Sequence, residues 1–258
     1  MVKGFIFDLD GTIYLGEKLI NGALETYQFL VNAGHKVVFV TNKPISSRQE
    51  YTEKLNHFGF DISIEQVINS NYVTALYLQN TLQAGEGVYM IGETALKEEL
   101  ELAGIRVTEN EMEAKSVVIS WDRQFTYDKL NKAFQAWKNG AEVIATNPDR
   151  TCPIEGGEIP DCGAIIGAVE GATGEKVDLI AGKPSELMAD LVVNHLLQLP
   201  PSSCYMVGDR LETDIQMGLD AGLQTILVLS GVTDAKMAAD STIKPTFTFD
   251  SVREIQTL

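Results

Sequence analysis

Short runs rich in valine, isoleucine and phenylalanine alternate along this chain with longer segments of helical periodicity. The clearest runs are Gly4–Asp8, Lys36–Thr41 and Cys204–Gly208, and a helical pattern over Ala23–Asn32 separates the first two. This alternation predicts βαβ units, in which parallel strands are buried on both faces and therefore read as continuous apolar runs. We expect an α/β protein built on a doubly wound, mostly parallel sheet.

The stretch between Thr41 and Lys183 is too long to be a single crossover between two strands. It also contains strand and helix patterns of its own. We therefore predict a discontinuous Rossmann-like core, formed by residues 1–81 and 179–258, with an inserted α/β domain over residues 82–178.

Two further assignments depend on local composition. The apolar run Leu179–Ala181 is predicted to be a core strand that leads to Lys183. The segment Asp149–Gly163 is rich in glycine, proline and aspartate, and we expect it to form a loop.

Asp8 and Asp10 stand at the end of the first apolar run and are followed by Gly11. Side chains two residues apart on a strand point to the same side, and carboxylates that close repel each other unless something neutralises them. A hard divalent cation, most simply Mg²⁺, binds oxygen ligands of this kind. The first residues of the chain therefore predict a metal–carboxylate site.

Other polar residues also follow the predicted core strands. Thr41 ends one of them, Lys183 lies just beyond another, and Asp209 follows Cys204–Gly208. Ligands of open α/β sheets bind beyond the carboxyl ends of the strands, so we expect these side chains to meet Asp8 in one crevice.

The formal net charge of −16 argues against a general nucleic-acid or anionic-membrane surface, which would need a basic face. Three cysteines without a C-x-x-C pair fit a reducing cytosol better than a disulfide framework. No leader pattern opens the chain, and no apolar run approaches the roughly 18–20 residues that span a bilayer. We expect a cytoplasmic protein, and the sequence leaves open whether it forms homo-oligomers.

Four short motifs follow one another in an order that resembles the haloacid dehalogenase superfamily of phosphatases. They are Asp8-Leu-Asp10-Gly-Thr12, Val40-Thr41-Asn42, Gly182-Lys183-Pro184 and Gly208-Asp209-Arg-Leu-Glu-Thr-Asp214. The long insertion between the second and third motifs resembles the C2-type cap of that family. Together with Ala145-Thr-Asn-Pro-Asp149, it points to the NagD-like p-nitrophenylphosphatase subfamily.

The resemblance implies a role for each motif residue. Asp8 would be the nucleophile that forms an aspartyl-phosphate, and Asp10 the general acid and base. Thr41 would contact the phosphoryl group, Lys183 would stabilise its charge, and the backbone at Gly11 would approach it. The resemblance also implies a Mg²⁺ site formed by Asp8, Asp10, Asp209 and Asp214. Asp10 would contribute its backbone carbonyl, and Asp214 would orient metal-bound water.

Four further residues are candidates for substrate contacts. Asn42 follows Thr41, and Asn147 and Asp149 lie at the start of the predicted loop in the inserted domain. Lys43 stands where the subfamily often has a second asparagine, so either a phosphate contact or a solvated lysine remains open there. A cap that covers the site would exclude water and contact the leaving group.

We therefore expect a Mg²⁺-dependent phosphatase of small phosphomonoesters such as sugar phosphates, nucleotides and p-nitrophenyl phosphate. Two alternatives stay open. The first is a phosphomutase or phosphotransferase, which would also use an aspartate nucleophile. The second is a non-catalytic protein that binds a phosphorylated metabolite.

Overall fold

The computed structural model describes residues 1–154 and 156–258 of the chain, and it divides them into two compact units. Unit 1 consists of Met1–Thr41, Arg48–Ile68 and Lys183–Leu258. Unit 2 consists of Asn42–Ser47 and Asn69–Gly182. The chain therefore passes from one unit to the other directly after Thr41 and directly before Lys183.

The strands in chain order are β1 (Gly4–Asp8), β2 (Tyr14–Leu15), β3 (Lys18–Leu19), β4 (Lys36–Thr41), β5 (Val67–Asn69), β6 (Gly87–Ile91), β7 (Arg106–Val107), β8 (Ala114–Ile119), β9 (Glu142–Ala145), β10 (Thr151–Ile154), β11 (Gly157–Pro160), β12 (Leu179–Ile180), β13 (Cys204–Gly208), β14 (Gln224–Val228) and β15 (Phe247–Phe249).

The α-helices in chain order are α1 (Ala23–Asn32), α2 (Arg48–His57), α3 (Ser70–Thr81), α4 (Thr94–Leu102), α5 (Tyr127–Lys138), α6 (Cys162–Thr173), α7 (Glu186–Asp190), α8 (Gln216–Asp220) and α9 (Ala235–Asp240). Helix α7 continues as a π-helix over Leu191–Leu197, and a π-helical turn over Leu211–Ile215 precedes α8.

A six-stranded sheet in the order β15-β14-β13-β1-β4-β5 forms the centre of unit 1. Strand β1 lies between β13 and β4 and is parallel to both. Every residue of β1 is buried, because both faces of the sheet are covered. Aromatic side chains such as Phe5, Phe7 and Phe39 belong to the core beside it. The α/β class and the parallel core predicted from the sequence are confirmed.

Unit 2 contains a separate five-stranded sheet in the order β12-β9-β8-β6-β7. Its strand pairs are parallel. Apolar residues of the strands and of α5 and α6 form its core, with Val117, Ile119 and Ala133 fully buried. Unit 2 thus has the sheet and core of an independent α/β domain.

Two assignments from the sequence are wrong. Leu179–Ala181 does not form a core strand, because β12 pairs with β9 in the sheet of unit 2. Asp149–Gly163 is not a simple loop, because it contains the antiparallel hairpin β10–β11 and the start of α6.

The sequence analysis also did not identify α3. Its side chain cap is clear in the structure, where Asn69 Oδ1 accepts a hydrogen bond from the Tyr72 N–H at 2.9 Å. Among the described residues, no helix is both long enough and apolar enough to cross a membrane.

Candidate active site

Three strand ends of unit 1 define the candidate site. Asp8 is the last residue of β1, Asp209 directly follows β13, and Thr41 is the last residue of β4. Strand β1 pairs with both neighbours, and Asp8 lies opposite Val40 of β4. The parallel register therefore brings these polar residues to the same edge of the sheet.

A cluster of buried carboxylates lies at this edge. One carboxylate oxygen from each of Asp8, Asp209 and Asp214 lies within 4.8 Å of the others. Their exposed fractions are only 6%, 1% and 1%, respectively. Carboxylates that are this close and this buried strongly disfavour simultaneous ionisation unless positive charge is present.

Lys183 supplies positive charge to the cluster. Its Nζ lies 2.5 Å from Asp8 Oδ1 and 2.7 Å from Asp214 Oδ1, and the side chain is 2% exposed. Burial alone would lower the pKa of Lys183, but the carboxylates of Asp214 and Asp8 raise it above the ordinary value of a lysine. Lys183 therefore stays protonated at this position. Although the strand predicted to precede it belongs to unit 2, Lys183 itself lies among the acids of unit 1.

Burial and the neighbouring charges shift the pKa values of two acids of the cluster. Burial raises the pKa of Asp8 well above its usual range, although Lys183 acts in the opposite direction. Burial, and then the neighbouring Asp214, raise the pKa of Asp209 to about 7. Both shifts have the sign expected for desolvated carboxylates beside like charges.

The donor set fits a hard divalent cation. One lysine ammonium offsets one of the three carboxylate charges, so two negative charges remain when all three acids are ionised. Asp8 Oδ2 is buried and has no hydrogen-bond partner among the described residues. Oxygen-only ligands, excess negative charge and a buried carboxylate oxygen without a hydrogen-bond partner suit a cation such as Mg²⁺.

Glycines make the close approach of these acids feasible. Gly11 has a φ of +87°, and a Cβ there would lie 2.4 Å from Asp209 Oδ2. A Cβ on Gly208 would lie 2.3 Å from Asp214. Any side chain at either position would displace an acid of the cluster, so both glycines are required by the site and not only by the turn.

Asp10 lies in the turn after β1, where it bridges to Tyr14, and it is partly exposed. The Gly11 N–H donates to the Tyr14 carbonyl at 2.7 Å. The side chain of Asp10 is not part of the carboxylate cluster formed by Asp8, Asp209 and Asp214. Asp10 therefore lies beside this cluster but outside it, and its predicted role as general acid and base remains a prediction.

The remaining candidates belong to unit 2. Asn42 Nδ2 donates to Asp149 Oδ2 at 2.8 Å, and Asn147 Nδ2 donates to the same oxygen at 3.0 Å. Asn147 has no exposed surface, and Asn42 and Asp149 are also buried. Lys43 is partly buried and follows Asn42 in the same unit. The structure brings three of these four residues together in one hydrogen-bonded network, and their assignment as substrate contacts remains a prediction.

The sequence analysis did not single out the segment Ser230–Thr233, which follows β14 by one residue. The N–H of Val232 donates to Asp209 Oδ2 at 2.6 Å, and the Ser230 hydroxyl donates to the Gly11 carbonyl at 2.7 Å. The available signal was a Ser-Gly pair just beyond a core strand, where ligand-binding turns of parallel sheets occur.

Comparisons with known proteins agree with this geometry. The family model for haloacid dehalogenase-like hydrolases matches residues 5–106, and a related model of the same hydrolase class matches residues 180–255. The sugar-phosphatase AraL of Bacillus subtilis is 38% identical over 99% of this chain and 92% of its own length.

Solved structures give the same result. A p-nitrophenyl phosphatase from Archaeoglobus fulgidus superimposes with a TM-score of 0.93 at 33% identity, covering 99% of this chain and 98% of that one. The glycerol phosphate phosphatase Rv1692 of Mycobacterium tuberculosis, solved in complex with magnesium, gives a TM-score of 0.88 at 31% identity, covering 98% of this chain and 76% of that one.

Proposed function

Because this chain belongs to the haloacid dehalogenase-like hydrolases, and within them to the NagD-like phosphatases, we propose that it hydrolyses small phosphomonoesters in a Mg²⁺-dependent reaction. The observation that supports this most strongly is the buried cluster of Asp8, Asp209 and Asp214 around the ammonium of Lys183. Such a cluster of buried carboxylates would be costly to fold unless a bound cation offset its excess negative charge.

We propose Asp8 as the nucleophile. Its Oδ1 is held by Lys183, while its Oδ2 is buried without a hydrogen-bond partner in the described part of the chain. In the first step a carboxylate oxygen of Asp8 forms a bond to phosphorus, the bond to the leaving oxygen breaks, and Asp10 donates a proton to that oxygen. An aspartyl-phosphate on Asp8 is the product of this step.

The second step returns the enzyme to its starting state. Asp10, now a carboxylate, takes a proton from water as the water attacks phosphorus, and inorganic phosphate leaves with release of the Asp8 carboxylate. Asp10 suits both steps because it lies on the turn that follows Asp8 and its side chain stands outside the cluster of Asp8, Asp209 and Asp214.

Charge stabilisation accounts for the remaining residues. Asp8, Asp209 and the Asp10 carbonyl would hold Mg²⁺, and Asp214 would orient a water on it; when bound, the cation would supply positive charge for the phosphoryl oxygens. Lys183 adds a fixed ammonium to the same region, and Thr41 is proposed to donate its hydroxyl to the phosphoryl group. Positive charge at this one place allows a protein of formal charge −16 to bind an anionic substrate.

Unit 2 is proposed to be the cap that selects the leaving group. It has its own sheet and core, as a rigid cap requires. A relative acting on sugar phosphates and another on p-nitrophenyl phosphate suggest small phosphomonoesters, including nucleotides, as the substrate class. Asn42, Lys43, Asn147 and Asp149 remain the proposed contributors from this unit.

A panel of phosphorylated metabolites tests the proposal, with inorganic phosphate measured in Mg²⁺ and again in EDTA. We expect release of phosphate from several small esters in Mg²⁺ and almost none in EDTA. Asp8→Asn should abolish release while keeping the circular dichroism spectrum of the wild type. Phosphate release that persists in EDTA, or in Asp8→Asn, would contradict the proposal. Isomerisation of a sugar phosphate with little free phosphate would instead identify a phosphomutase.

A further inference from the structure

The loop Ser230–Thr233 makes three hydrogen bonds to Asp209 and Gly11, two residues of the candidate active site. The N–H of Val232 donates to Asp209 Oδ2 at 2.6 Å, and the N–H of Thr233 donates to the Asp209 carbonyl at 3.2 Å. The hydroxyl of Ser230 donates to the Gly11 carbonyl at 2.7 Å. One loop therefore contacts both of the separate chain segments that contribute ligands to the proposed metal.

Close packing restricts Asp209 as tightly as these hydrogen bonds do. A Cβ built on Gly231 would lie 2.0 Å from Asp209 Oδ2, and a Cβ built on Gly11 would lie 2.4 Å from the same atom. The carboxylate thus lies between two glycines, one from the turn after β1 and one from the loop. With the Val232 N–H on the same oxygen, the carboxylate has little freedom to rotate.

The restricted rotation of the Asp209 carboxylate opposes electrostatic repulsion from its neighbours. Asp209 is 1% exposed and has an oxygen within 4.8 Å of oxygens of Asp8 and Asp214. Like charges at this separation repel each other, and burial removes the water that would screen them. Without restraint, Asp209 would turn away from its neighbours. Partners that orient metal ligands generally raise metal affinity, and their removal typically costs about 10–100-fold in affinity or activity.

We propose that the Ser230–Thr233 loop is a positioning element of the metal site and that Ser230 is a positioning residue for Mg²⁺ binding. The loop holds Asp209 and the Gly11 carbonyl in place before the cation arrives, so that the acids do not have to be assembled during binding. This inference rests on the proposed function, because it assumes that Mg²⁺ binds at Asp8 and Asp209.

Two variants separate the contacts of the loop. Ser230→Ala removes the hydrogen bond to the Gly11 carbonyl and leaves the backbone unchanged. Gly231→Ala places a methyl group against the Asp209 carboxylate, and its main effect is steric because the backbone at Gly231 is not in the left-handed region. Although Gly231 itself is exposed, the added methyl group would meet the buried carboxylate of Asp209. Ser230→Thr keeps the hydroxyl. Ser241→Ala is the control, because the hydroxyl of Ser241 also makes a single hydrogen bond, which it accepts from the N–H of Ile243 at 3.0 Å.

The experiment is calorimetric titration of the metal-free proteins with Mg²⁺, without substrate. We expect about a 10-fold rise in the dissociation constant for Ser230→Ala and about 100-fold for Gly231→Ala, with wild-type affinity in Ser230→Thr and Ser241→Ala. In assays, added Mg²⁺ should restore the kcat of Ser230→Ala, while its KM for p-nitrophenyl phosphate at saturating Mg²⁺ stays at the wild-type value.

The possible results distinguish this inference from the proposed function. If the wild type binds Mg²⁺ and Ser230→Ala binds it equally well, the positioning role is refuted and the proposed hydrolysis stands. If the wild type itself fails to bind Mg²⁺, both are refuted. A loss of kcat in Ser230→Ala that saturating Mg²⁺ does not restore would also refute a role in metal binding. Should Gly231→Ala fail to fold, Ser230→Ala and Ser230→Thr still decide the question.

Discussion

Replacing Lys183 by methionine tests the electrostatics of the site on both stability and rate. The ammonium of Lys183 lies 2.5 Å from Asp8 Oδ1 and 2.7 Å from Asp214 Oδ1. Hydrogen bonds to charged groups contribute about 1.5–3 kcal/mol each, so two of them give about 3–6 kcal/mol. Removal of one partner from a buried ion pair costs about 3–5 kcal/mol, which agrees. We expect Lys183→Met to lower the free energy of unfolding by about 3–5 kcal/mol at pH 8.

The same variant should lose catalytic rate. The ammonium would no longer stabilise the negative charge of the phosphoryl group in the transition state, and loss of one such stabilising group costs about 10²–10³-fold in kcat. Urea denaturation with EDTA measures the stability, and p-nitrophenyl phosphate hydrolysis at saturating Mg²⁺ measures the rate. Lys176→Met is the matched control, because Lys176 is paired with Glu170 at 2.6 Å but is 87% exposed. It should change the unfolding free energy by less than about 1 kcal/mol and leave kcat unchanged.

The reasoning would be refuted by a Lys183→Met protein that unfolds at the wild-type urea concentration and keeps a wild-type kcat. A normal kcat together with a raised KM would limit the lysine to substrate binding. Loss of stability to the same extent in Lys176→Met would show that the buried site is not special.

Three further predictions follow from other parts of the structure. Burial raises the pKa of Asp209 to about 7 in the folded protein, whereas in the unfolded chain this carboxyl has its ordinary pKa of 3.8. Between these two pH values the folded protein holds a proton on Asp209 that the unfolded chain has released. The stability of the wild type therefore falls as pH rises towards 7. In EDTA, Asp209→Asn should therefore be more stable than wild type at pH 8, and this advantage should shrink steadily as the pH is lowered from 8 towards 4; a gap that widens towards pH 4 would contradict the sign. Burial also raises the pKa of Cys162, so this thiol should react with iodoacetamide at pH 8 only after unfolding, and rapid labelling of the native protein, located by peptide mapping, would disprove its burial. Asp149→Ala removes the shared acceptor of the Asn42 and Asn147 amides and should cost about 1–3 kcal/mol in urea denaturation, whereas an unchanged midpoint would show that water replaces the acceptor.

Much of the core could be predicted because its strands are buried on both faces. The runs Gly4–Asp8, Lys36–Thr41 and Cys204–Gly208 are strands with those same bounds. Continuous apolar runs bounded by polar residues are the direct consequence of two covered faces. The cluster of Asp8 and Asp209 follows from that prediction, since parallel strands place their last residues at one edge.

The segments that could not be predicted lack a local signal. Leu179–Ala181 is apolar, but a run this short does not specify which sheet it joins. The polar and apolar residues of helix α3, Ser70–Thr81, do not fall on opposite faces, so its sequence lacks the periodicity of an amphipathic helix. The hairpin β10–β11 has the glycine and proline content of a loop.

The contribution of Ser230–Thr233 is a different kind of omission. Its main contact with Asp209 comes from the backbone N–H of Val232, and any residue except proline can donate from that position. Such a donor leaves no mark on the side-chain sequence. The amino acids themselves carry two traces of this loop: the small residue at Gly231, where a Cβ would meet Asp209, and the hydroxyl of Ser230, which donates to the Gly11 carbonyl.

The most direct test of the central claim is chemical trapping of the covalent intermediate. The protein would be mixed with p-nitrophenyl phosphate and Mg²⁺, quenched within milliseconds and reduced with borohydride, which converts an aspartyl-phosphate to homoserine. We predict homoserine at position 8 in the mass spectrum of the peptide that contains Asp8, Asp10 and Gly11, with no modification in EDTA. Turnover without any modified Asp8, or with modification at Asp10 instead, would contradict the proposed mechanism.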